Sequence, residues 1–135
     1  MTIKECYALA GGNYSEVMER IGNETRIQKY LKKFSEDNSY SELLAALAEE
    51  NWHGAFRSAH NLKGLCANLS LDRAAQAAGT VCEALRHGKP EADLTELCGE
   101  LDAAYRQTLS AVNSFLAHQQ ATGPELVKQE EQCFA

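Results

Sequence analysis

The sequence predicts an all-α domain: an up-down antiparallel four-helix bundle with short extra helices at its N-terminus. Three observations point there. Apolar residues recur at helical period through most of the chain, with no strand-like alternation and no hairpin signal. Alanine, leucine and glutamate are frequent, and only two of the 135 residues are proline. The later periodic segments are separated by short polar breaks, and short connections favour antiparallel neighbours. A chain of 135 residues holds one core and is short for two. Residues 1–121 are therefore expected to form a single domain, and 122–135, around Gly123-Pro124, a loose tail or a short helix laid on the bundle.

At the N-terminus, "TIKE" reads as a capping box, with Thr2 as N-cap and Glu5 reaching back. "NYSE" repeats the form with Asn13 and Glu16. Gly11-Gly12 and Gly22 separate these short helices, which should cover one end or side of the bundle, from the longer helices after them. From Glu24 to about Phe34, residues Ile27, Tyr30, Leu31 and Phe34 make an amphipathic stripe. "SEDNS" breaks it. "SYSE" caps the next helix from Ser39, with Leu43, Leu44 and Leu47 as its apolar face. Asn51 caps a helix from Trp52 to about Leu69. Ser70 caps another to about Arg86, which Gly88 stops. Pro90 suits the first turn of the longest helix, which runs to about His118. Leu94, Leu97, Cys98, Leu101, Tyr105, Val112 and Phe115 mark its stripe.

The net charge of −6 excludes some partners. An acidic chain repels phosphate backbones and anionic lipid, so neither nucleic acid nor a membrane surface is expected. No run approaches the ~20 apolar residues of a membrane span. The opening "MTIKECYALAGG" carries Glu5 and no long apolar core, unlike a secretion signal. The five cysteines are odd in number and form no C-x-x-C pair, which fits a reduced, cytoplasmic setting. Cys66, Cys82 and Cys98 each fall on an apolar stripe and read as small buried hydrophobes, and Cys133 as exposed.

The chemistry concentrates in "FRSAHNLKGLCANLS". At about 100° per residue, Ala55, Ala59, Leu62, Cys66 and Leu69 cluster on an arc roughly 220° round the wheel from His60. His60 therefore faces solvent, with His53, Arg57, Gly64 and Ala67 along its stripe and Phe56 and Lys63 flanking it. A glycine inside a helix costs about 1 kcal/mol relative to alanine. Gly64 follows His60 by one turn on the exposed face, and small Ala67 comes a turn later. One reason to keep such a gap is that something must approach His60 closely. Lys63, at i+3, disfavours imidazolium, leaving a nucleophilic ring, and stabilises negative charge arriving there. A nucleophile, a cation and a cleared approach suit transfer of an anionic group such as phosphoryl.

These residues resemble a family. "AHNLKGLCANLSLDRAAQAAGTVCEALRHG" is similar to the histidine phosphotransfer (HPt) domain of multistep two-component phosphorelays, whose core pattern is A-H-x-L-K-G. Here it reads Ala59-His60-Asn61-Leu62-Lys63-Gly64. "KKFSED" and "LLAALAEENWHGAFRSAH" resemble the segments leading into the active helix. The resemblance implies a four-helix bundle and a phosphoryl shuttle. His60 would take phosphate from an aspartate of one response-regulator receiver domain, or of a hybrid sensor histidine kinase, and pass it to another. Lys63 would hold the phosphoryl oxygens, and Gly64 with Ala67 would clear the way for the receiver. Phe56, Arg57, Asn61, Leu65 and Asn68 are candidate docking positions. It implies no cofactor of its own, Mg²⁺ being supplied by the partner receiver, and the domain is expected to be a monomer that binds one receiver at a time. Neither G-x-x-x-x-G-K-[ST] nor G-x-G-x-x-G occurs, so no ATP-dependent kinase activity is expected. Two positions depart from the pattern: Leu65 where a small residue is common, and Ser70 where glycine is usual.

Other classes compete less well. "LSLDRAAQAAGTVCEALRHG" has the look of a helix-turn-helix, but Arg73 and Arg86 make no basic patch. A catalytically silent helical adaptor would not need acceptor, cation and gap together. His53 and His60 lie two turns apart with nothing to complete a shell, so no metal site is expected. His53, His87 and His118 read as surface residues. Met1 and the compact length favour a free-standing protein.

Overall fold

The computed structural model describes residues 1–122, with side chains described through Gln119. Seven α-helices and no strands occur among them: α1 (Ile3–Ala10), α2 (Tyr14–Ile21), α3 (Glu24–Glu36), α4 (Ser39–Ala48), α5 (Trp52–Asn68), α6 (Asp72–Ala84) and α7 (Thr95–Thr122). The tail expected from 122 lies, beyond Thr122 itself, outside the described residues, as does Cys133.

Helix α5 lies between α4 and α6, α6 packs on α7, and α7 carries α1 and α3. Tyr40 of α4 stacks on Tyr105 of α7 with ring centroids 4.2 Å apart, which ties the two outer helices together. The arc read from the wheel is the buried one: Ala55, Ala59, Leu62, Cys66 and Leu69 are all inside. Facing α5, helix α6 buries Ala74, Ala78, Val81 and Cys82. Small residues on both helices permit close packing, and that fixes the opposite face of α5 rigidly toward solvent. Truncating buried Leu62 to alanine would cost about 2–5 kcal/mol.

Several expectations change on folding. Tyr30 and Leu44 belong to the apolar pattern but are 41% and 45% exposed. The buried face of α4 is Tyr40, Leu43 and Ala46, and Lys33 places its ammonium over the Tyr30 ring. Ser39 is the first residue of α4 and not its cap; its N–H donates to the Asp37 carboxylate at 2.8 Å. Pro90 is not helical. It lies in a connection between α6 and α7 that is longer than expected, and Asp93 accepts from the N–H of Thr95 where α7 begins. Thr2 and Glu5 do form the capping box. Asn13 caps α2 alone, because the Glu16 carboxylate turns to Arg20 and Ser70 instead.

Ser70 differs most. The N-cap of α6 is Leu71, and Ser70 stands in the left-handed region at φ 53°. Its N–H reaches the carbonyl of Ala67 and that of Leu71 reaches Cys66, the two bonds of a Schellman stop. Such a position favours glycine because Cβ crowds the backbone there, which accounts for the residue usual in the resembling family.

Candidate functional site

His60 sits near the middle of α5 and is exposed, as are Asn61, Lys63, Gly64, Ala67 and Asn68. The surrounding core decides this: every α5 residue that could turn the helix over is already buried against α4 or α6. Gly64 has an ordinary helical backbone, and a Cβ added to it would meet nothing within 4 Å. The fold itself therefore does not require a glycine there. Side chains on a helix lean toward its N-terminus, so any residue at 64 would lie back over the turn bearing His60.

Lys63 is seated by the neighbouring helix. A Cβ on Gly79 of α6 would stand 3.5 Å from Lys63 Cδ and 3.6 Å from Cε, so the lysine stem runs across this glycine. Beyond it, burial pushes the Cys82 thiol up, with the Lys63 ammonium opposing that rise. Glu83 is held below the usual carboxylate range first by its hydrogen bonds from Arg86, Lys63 adding a smaller pull. Gly79 escaped the reading of the sequence although it carries the same signal as Gly64, a glycine inside a helix.

The flanking candidates divide. The Phe56 ring stacks beside His60, with centroids 6.2 Å apart and planes 26° apart. Leu65 is half-buried against the core. Arg57 turns away from His60 to His53, with Nη2 3.1 Å from the His53 ring Nε2. His87 and His118 are exposed, as expected.

The far end of α5 is gripped by the N-terminal helices. Arg20 Nη1 donates to the carbonyls of Ala67 and Asn68 at 3.0 and 3.1 Å and to Ser70 Oγ at 2.7 Å. A guanidinium at a helix C-terminus satisfies open carbonyls and opposes the negative end of the dipole. Tyr7 donates its hydroxyl to the Leu69 carbonyl at 2.7 Å, and Asn13 N–H reaches the Ser70 carbonyl at 2.8 Å. A Cβ on Gly12 would fall 2.8 Å from that carbonyl and 2.7 Å from the Tyr7 ring, so here the close approach does demand glycine. These partners lie 47 to 62 positions from the residues they bind at α5's end, and no local pattern announces them.

Among the described residues, no three His, Cys, Asp or Glu side chains are placed to hold a metal ion. No helix among them is long and apolar enough to cross a membrane. Two open grooves, one around Trp52, Leu94 and Cys98 and one around Arg73, Gln76 and Gly99, include neither His60 nor Lys63. The chemistry-bearing face is an open helix surface, a shape met by another macromolecule more readily than by a small ligand.

The family model described as Hpt domain matches residues 30–115, well over half of the chain. No curated protein and no solved structure matches the chain significantly.

Proposed function

The chain belongs to the Hpt domain family, and from that membership we propose that it is a phosphorelay carrier with His60 as its acceptor and donor. The family's role is phosphotransfer in two-component systems. In our reading, the lone pair of a His60 imidazole nitrogen attacks the phosphorus of a receiver's aspartyl phosphate. The N–P bond forms as the O–P bond breaks, and the electron pair leaves with the aspartate carboxylate. A second receiver's carboxylate then attacks the phosphohistidine, and the ring recovers its lone pair. Lys63 offsets charge on the three phosphoryl oxygens through both steps. The divalent ion such a step uses belongs to the receiver, and a hybrid sensor kinase supplies the first phosphoryl group. The carrier acts in the cytoplasm as a monomer, presenting this face to one receiver at a time.

One observation carries the reading: the open space at Gly64, where the fold would accept a side chain and the sequence has none. A helix gives up about 1 kcal/mol to a glycine it does not need, and the approach of a partner to His60 supplies the reason. Mixing the protein with a labelled, phosphorylated receiver tests it. Label should appear on the carrier, labile in acid, and vanish in His60→Gln. Continued uptake by that variant would show that another residue is the acceptor.

A further inference from the structure

The Phe56 ring lies beside His60 and also beneath a cation from the turn that follows α6. The Arg86 guanidinium carbon is 5.9 Å from the Phe56 centroid, near the limit of a cation–π contact. Arg86 is itself held against the end of α6 by Glu83, whose carboxylate accepts from Nε at 3.1 Å and from Nη2. Phe56 is half-buried and packs against the core, so it is anchored from below. His60 is exposed and would otherwise sample several rotamers.

We propose that Phe56, braced by Arg86 in the turn after α6 and by Glu83 at the end of that helix, is a positioning residue that fixes the orientation of the His60 ring for phosphotransfer. Side chains of a helix lean toward its N-terminus, so His60 leans over Phe56 one turn back and away from Gly64 one turn on. The two neighbours thus divide the approach. Phe56 covers one side of the ring and limits its rotation, and Gly64 leaves the other side clear. An oriented nucleophile reacts faster because its rotational freedom is already spent before the partner arrives. The brace crosses from α5 to α6, so the ring is registered to the bundle and not to its own helix alone.

The proposal rests on His60 being the acceptor, and its test separates the two ideas. In the unphosphorylated protein, proton spectra should show the His60 ring shifted by Phe56 ring current, with cross-peaks between the rings. Phe56→Leu, which keeps apolar volume, should abolish both. With a saturating phosphorylated receiver, Phe56→Leu should lower the transfer rate constant about three- to tenfold with half-saturation unchanged. Phe56→Tyr should restore the rate, and Arg86→Gln should give a smaller loss of the same kind. A Phe56→Leu variant that shifts half-saturation and leaves the limiting rate alone would make Phe56 a docking residue and overturn the proposal. So would His60 resonances indifferent to Phe56→Leu. A parent protein with ordered rings that takes up no phosphate would defeat the acceptor assignment first, and the positioning role with it.

Discussion

Replacing Gly64 with glutamine separates the two reasons a helix can hold a glycine. If the backbone needed it, any side chain would destabilise the fold. The φ at 64 is not left-handed, and a new Cβ meets nothing within 4 Å. What remains is propensity. Glutamine is a good helix former and recovers roughly 0.5 kcal/mol of the ~1 kcal/mol that separates glycine from alanine. For a domain of this size, unfolding entropy of about 2 cal/mol/K per residue turns that gain into a rise of about 2 °C in Tm. Function should move the opposite way. The glutamine leans back over the turn bearing His60 and stands where a partner must come. A displacement of about 1 Å at a reacting centre can cost on the order of a hundredfold, so transfer from a labelled receiver should fall at least about tenfold. Circular dichroism melts and transfer rates, measured on one preparation, read both effects. Transfer at the parental rate would refute the clearance argument, and a lowered Tm would refute the statement that the fold has no use for the glycine.

Three other outcomes rest on the same geometry. Ser70→Gly relieves a left-handed backbone and Ser70→Ala does not, while both lose the hydroxyl; denaturant unfolding should find the glycine variant more stable than the alanine variant by about 1 kcal/mol. Equal stabilities would show that φ carries no cost there. Glu50 stops α4 in the same left-handed manner at φ 57° and is exposed, so Glu50→Gly should raise stability by about 1 kcal/mol, and a lowered Tm would refute this. Glu16 is held below the usual carboxylate range, first by the Arg20 hydrogen bond and then by that of Ser70. A depressed folded pKa gives stability that is full above the unfolded carboxylate range and lost as pH falls through the lower folded value. Glu16→Gln should therefore melt below the parent at about pH 7, and the gap should close as the pH falls through the lowered folded value of Glu16. A gap that stays constant with pH would contradict the assignment.

The exposed face of α5 was legible because one helix records its own orientation. Ala55, Ala59, Leu62, Cys66 and Leu69 say where the core is, and His60 and Gly64 follow by rotation. Helix number and most boundaries were legible for the same local reason, through Thr2, Asn13 and Asn51 as caps. What failed needed a second element. Leu44 and Tyr30 fit the period of their helices, but neighbouring helices cover α4 and α3 on narrower stripes that leave both side chains open to solvent. Pro90 suits a first helical turn in the abstract, yet the chain must cross from α6 to α7 before it can start one. The seat of Lys63 on Gly79 pairs positions on two helices, and the contact of Arg86 with Phe56 joins α5 to the turn after α6. Periodicity within one helix cannot report such pairs.

Ser70 bears on how the end of α5 is held. The matched family region begins at residue 30, so α1 and α2 lie outside it. Those two helices and the turn between them nonetheless supply Tyr7, Gly12, Glu16 and Arg20, which close on the turn after α5. A glycine at 70 would make the turn at lower backbone cost. It would also leave Arg20 and Glu16 without the buried hydroxyl that accepts from one and donates to the other. Left-handed strain in a non-glycine residue runs to about 1–2 kcal/mol. A neutral hydrogen bond nets about 1 kcal/mol, and bonds to charged groups more. Two bonds to charged partners are therefore of the size needed to offset the strain. The serine is tolerable because the N-terminal helices are there to use it, and removing residues 1–23 should make Ser70 a liability that Ser70→Gly then corrects.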